Sequence, residues 1–186
     1  MNGLPPLPSW DGLHPLIVHF PIALLLVAPL FVVLGIFLRR SRPFLWAALL
    51  LMAIGTIASF FAVSTGEAAG KLAERTPQIN AVLERHEELA ETTRIIFTAL
   101  TVVFAAIVVT PALFRRLQGT AFRFVLPLVF LLFYGAGIVV LANTAHNGGR
   151  LVHELGVQAL MAPAPAPAAA PVEKEALRSV KDHGAP

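Results

Sequence analysis

Histidine is the residue type with most chemistry to offer in this chain, and its placement is uneven. His14 and His19 open the first apolar segment, His86 precedes the third, and His146 and His153 follow the fourth. A neutral imidazole can ligate a metal ion or haem iron, or relay a proton. The standard catalytic frames for histidine are missing. His86-Glu87-Glu88-Leu89-Ala90 carries alanine where a zinc-protease helix needs its second histidine, and the run from His153 to Val157 fails in the same way. No serine–histidine–acid set, phosphate-binding loop or dinucleotide glycine pattern occurs. There is no cysteine, which excludes disulfides, covalent c-type haem, iron–sulfur clusters and thiolate zinc sites within the chain.

The elements that must position these side chains are set by lipid. Apolar residues make up 56% of the chain and charged residues only 13%, about half the charged share of a soluble domain. Not one Asp, Glu, Lys or Arg lies between Arg42 and Glu67, or between Arg94 and Arg115. Four segments, about 15–38, 44–63, 95–114 and 122–145, are each long enough to cross about 30 Å of hydrocarbon as a helix. Only helices or closed barrels can span, and runs such as Ile22 to Val27 lack the alternation of a barrel strand. The fold class is therefore an all-α integral-membrane four-helix bundle.

Orientation follows from the loops. Arg39, Arg40 and Arg42 fill the first connection and Arg115, Arg116 and Arg123 the third, without an acid, while all eleven acidic residues lie on the opposite side. The positive-inside rule places the arginine loops in the cytoplasm, so both termini face outward (the periplasm, for a bacterial inner membrane). The basic excess sits at membrane boundaries and does not point to nucleic acid. No basic residue precedes Arg39, so the first segment is expected to be retained rather than cleaved as a signal peptide. Residues 1–13 form an outer segment, 14–161 the transmembrane domain, and 162–186 a Pro/Ala-rich tail expected to be disordered, with no specific role for His183.

The outer connection between the second and third spans has helical texture. Ile79, Val82, Leu83, His86, Leu89 and Ala90 recur at three- and four-residue spacing, so the third helix should begin near Pro77, with Thr76 as N-cap. His86 then lies on the buried stripe, where an imidazole needs a partner. Ala58, Ala62, Gly66 and Gly70, four apart, form a seam for close helix packing, with Gly135 and Gly137 as candidates to receive it. Pro29, Pro111 and Pro127 are expected kinks whose freed carbonyls neighbours satisfy. Tyr134 is expected to make an interhelical hydrogen bond. Gly148-Gly149 should end the fourth helix, leaving 151–160 for a short interfacial one.

The stretch Leu13-His14-Pro15-Leu16-Ile17-Val18-His19-Phe20-Pro21-Ile22-Ala23-Leu24 resembles a bacterial membrane-protein family, the domain of unknown function 2231. Thr65-Gly66-Glu67 and the glycine pair before Leu151-Val152 add to the resemblance, which covers roughly residues 10–160. It implies about four helices and a redox setting beside cytochromes or other redox membrane proteins. It also matches His14, His19, Glu67 and His86 to the family's polar positions. The last segment departs from the family pattern of an aromatic near His153 and a histidine near Leu155, so no role is carried over to His153.

The functional expectation is a haem b or transition-metal site at the outer face, serving membrane electron transfer. His19 and His86 are the expected haem ligands, with Arg94 and Arg150 for the propionates. A carboxylate-assisted metal site built from His14, Glu67 and His86 is a variant. A different class is a structural or assembly subunit without a cofactor, its histidines and Glu67 forming an interhelical hydrogen-bond network. A small transporter is a third, weakened by the lack of charge within the spans.

Overall fold

The computed structural model describes residues 8–38, 41–114, 116 and 119–157. Among them the chain forms four long antiparallel helices and no strand. The first, α1 (Asp11–Phe37), opens with a 3-10 turn at Asp11–Leu13 and is interrupted at Val18. It is followed by α2 (Ser41–Gly70), α3 (Pro77–Leu113) and α4 (Ala121–His153), the last beginning with a π turn at Ala121–Val125. Each is long and apolar enough to cross a membrane. Neighbours in sequence are neighbours in space, and α4 closes the ring against α1. The tail 162–186, with His183, lies outside the described residues.

Local chemistry explains the boundaries. Thr76 caps α3 by accepting the Ile79 backbone N–H at 3.2 Å, and Pro77 follows at the first helical position, as expected. At 37 residues, α3 is about 55 Å long, so its first turns extend beyond about 30 Å of hydrocarbon. Those turns pack Ile79 and Leu83 against Leu151 of α4, forming a small core separate from the main one. That packing accounts for a correction. α4 does not stop at Gly148-Gly149 but continues to His153, because tertiary burial of Leu151 outweighs glycine's cost in a helix. No separate helix starts at Leu151 among the described residues.

The main core is aromatic at its centre. Phe97 and Phe104 of α3 meet Phe130 and Tyr134 of α4, with the Phe97 and Tyr134 rings edge to face at 5.3 Å. Tyr134 is 1% exposed and donates its hydroxyl to the Leu25 carbonyl at 2.7 Å. Leu25 is the residue whose helical partner would be the N–H of position 29. Pro29 has none, so the tyrosine on α4 satisfies the carbonyl that a proline on α1 has freed. Two sequence expectations, the kink proline and the interhelical tyrosine, are one interaction.

The small-residue row on α2 does pack closely, but not on the glycines of α4. A Cβ at Gly70 would meet Glu87 and Leu83 of α3, and one at Gly66 would meet His14. Gly137 instead lets Leu100 and Ile96 of α3 approach, while Gly135 faces open space.

Candidate functional site

The end of the bundle that gathers the histidines holds a half-open cavity of about 570 Å3. His14 from α1 and His86 from α3 both line it, their ring centroids 6.4 Å apart and their planes at 81°. They are mounted alike. His14 donates from Nδ1 to the Ala62 carbonyl of α2 at 2.9 Å, with Thr65 Oγ1 at 3.4 Å. His86 donates from Nδ1 to the Thr144 carbonyl of α4, also at 2.9 Å.

A side chain rarely reaches a mid-helix carbonyl, because that oxygen is already bonded to the N–H four residues on and lies under that residue's side chain. Here the residue four on is glycine in both cases. A Cβ on Gly66 would sit 2.9 Å from His14 Cε1, and one on Gly148 would sit 3.0 Å from His86 Cε1. The two glycines are seats for imidazoles. One hairpin, α1–α2, holds His14 and the other, α3–α4, holds His86 in the same way. With Nδ1–H donated to backbone, each neutral ring keeps its Nε2 lone pair, and backbone fixation of the distal nitrogen is how proteins orient metal-ligating histidines.

The expected pairing of His19 with His86 is not what the geometry brings together. His19 is exposed on the side of the bundle and donates Nδ1 to the Pro15 carbonyl within its own helix at 2.8 Å. His14, expected only in the metal variant and not as a haem ligand, takes the inward position instead. Glu67 lines the same cavity from α2 but its side chain is exposed. Among the described residues no three His, Cys, Asp or Glu side chains form a preformed metal-ligand group. Arg94 pairs with Glu91 and lies over the Phe60 ring at 5.0 Å, while Arg150 Nε reaches Glu154 at 2.9 Å. Neither arginine lines the cavity. His146 and His153 are exposed and stand apart from it.

The family model described as "Predicted membrane protein (DUF2231)" matches residues 11–160. The chain belongs to this family. The match takes in all four helices of this DUF2231 protein and every residue of the paired-histidine arrangement, from His14 to Gly148. No curated protein and no solved structure matches the chain. Sequence reasoning missed Gly148 and the two carbonyls. The available signal was Gly66 within the small-residue row, which marks a place where something approaches α2 closely.

Proposed function

We propose that this chain is a membrane-embedded metal-binding protein in which His14 and His86 ligate one transition-metal ion for electron transfer. The observation that carries the reading is the matched mounting of two imidazoles 6.4 Å apart on a shared cavity. Two metal–nitrogen bonds of about 2.0–2.1 Å, added to the half-widths of two rings, come close to that separation. Imidazole ligands suit iron, copper, nickel or zinc, and a redox role selects iron or copper. Glu67 is the candidate third ligand, reached by a change of rotamer. A bare ion fits better than haem b, because the cavity walls hold Asp11, Glu67, Glu87, Glu88 and Glu91 and no Lys or Arg to meet propionates. A redox membrane protein would be the electron partner.

Elemental analysis and an absorption spectrum of the full chain, purified in detergent from metal- and haem-replete cells, test this. About one equivalent of iron or copper and no haem band is the expected result. A haem band would move the reading to a haem iron between the same rings. A colourless, metal-free protein would sink it and leave the assembly role, which the two interhelical hydrogen bonds of His14 and His86 support on their own.

The site is assigned to the outer face of a bacterial inner membrane. Support comes from Arg42, Arg116 and Arg123 at one end of the bundle, opposite Glu67, Glu74, Glu84 and Glu87 at the other. A reporter active only outside the cytoplasm should be active when fused after residue 160 and silent between Arg40 and Ser41. The reverse pattern would turn the site to the cytoplasm.

A further inference from the structure

The cavity is far larger than a single ion requires. About 570 Å3 lies within the range of pockets that take small organic molecules. Its walls are also strongly asymmetric. Val18, Ile22, Leu25 and Leu141 line it on the inward side. Leu25 is eleven residues beyond His14, or about 16 Å along the helix, so the apolar part reaches well into the bundle. The polar groups lie at the histidine end.

Those polar groups have a shared property: every hydrogen-bond donor among their side chains is already committed. His14 and His86 give Nδ1–H to the Ala62 and Thr144 carbonyls. Ser59 donates to the Thr56 carbonyl at 2.6 Å, and Thr144 donates to the Val140 carbonyl at 2.9 Å. Thr144 Oγ1 also lies 2.8 Å from Thr93 Oγ1. Its own proton being committed, Thr93 must be the donor of that pair. No Asn, Gln, Lys, Arg, Tyr or Trp lines the cavity. What remains is acceptors only, namely two imidazole Nε2 lone pairs and, nearer the rim, carboxylates.

We infer that this cavity binds a lipophilic molecule whose head donates hydrogen bonds through hydroxyl groups, the quinol class, with its apolar body directed towards Leu25 and Leu141. A head that only accepts would leave the Nε2 lone pairs facing other acceptors, and buried unpaired polar groups are what such sites reject most strongly. An ammonium head would satisfy the acceptors but would bring a charge out of water to the two part-buried imidazoles, while Glu67, Glu87 and Glu88, which could pair with it, are exposed. A hydroxyl head needs no such transfer.

The inference concerns the metal-free site: a quinol head and a metal ion would use the same two Nε2 lone pairs, so the two readings are alternative occupancies and neither depends on the other. The test therefore uses the full chain in phosphatidylcholine nanodiscs after chelator treatment, without oxygen, with empty nanodiscs as background. A decyl-substituted benzoquinol and its benzoquinone share a body and differ in whether the head donates or accepts. The quinol should bind at least tenfold more tightly than the quinone. His86→Phe keeps a ring but removes one acceptor, and should cut that discrimination severalfold in protein that still melts cooperatively. Equal affinity for the two forms, or no binding of either, would overturn the inference. So would tighter binding of decylammonium than of the quinol. Metal content of the untreated protein is measured separately, so failure of one reading is not mistaken for failure of the other.

Discussion

Alanine at His14 or at His86 is expected to reduce bound metal to background, whereas alanine at His19 leaves it at the wild-type level. The contrast follows from placement. His14 and His86 line one cavity with their Nδ1 protons fixed on backbone carbonyls, while His19 is exposed and bonded to its own helix. The two alanine variants should still insert and fold. An interhelical hydrogen bond in lipid contributes on average about 0.6 kcal/mol and rarely more than about 1.7. Neither carbonyl is orphaned, since each keeps its helical N–H partner four residues on. Gly148→Leu should give an intermediate result. It leaves both imidazoles in the chain but puts a side chain where His86 Cε1 now lies 3.0 Å from an ideal Cβ position. Losing the backbone orienter of a ligand costs about 10–100-fold in affinity, so weakened rather than absent metal is expected. Metal bound equally by wild type and His86→Ala would refute the site. A purely structural histidine would change melting temperature without moving stoichiometry.

The architecture was legible because lipid leaves few options. Charge-free windows identify spans, arginine-only loops pair them into hairpins, and Thr76-Pro77 marks a helix start that the structure reproduces. What the sequence obscured was phase and tertiary contact. His19 drew attention by lying inside an apolar segment, while His14, just outside it, entered only the metal variant. Five residues separate them, which at 3.6 per turn is a rotation of about 140°. When His14 faces inward, His19 therefore cannot. His14's partner carbonyl is 48 positions away on α2 and that of His86 is 58 away on α4. No local pattern reports such a contact. Glycine at 148 reads locally as a helix terminator, and only the imidazole resting on it shows a different use. His86 was readable because its own helix carries a long periodic stripe.

Tyr134→Ala is expected to destabilise the bundle by about 3–5 kcal/mol, the range for deleting a large buried aromatic, and to do so without removing any group from the histidine site. Three effects act together. The side chain is almost wholly inaccessible, so its loss opens a void between Phe97 and Phe130, which now contact it at centroid distances of 5.3 and 5.5 Å. Close packing is the main attraction between helices in lipid, where apolar burial offers no advantage over the tails, so the void falls on the largest available term. The Leu25 carbonyl is then left without a donor, because Pro29 supplies none from its own helix. Tyr134→Phe separates these effects. It retains the ring stack and loses only the hydroxyl, so its cost should approach about 1.7 kcal/mol, the upper end for interhelical hydrogen bonds in lipid. The carbonyl concerned has no alternative partner. Restoring that partner by Pro29→Ala in the Tyr134→Phe background should recover most of this loss, since position 29 then donates its own N–H to Leu25. Reversible unfolding in mixed micelles checks all three variants. If Tyr134→Phe costs nothing, or if Pro29→Ala fails to recover it, the proline and the tyrosine are not the single coupled device that their geometry describes.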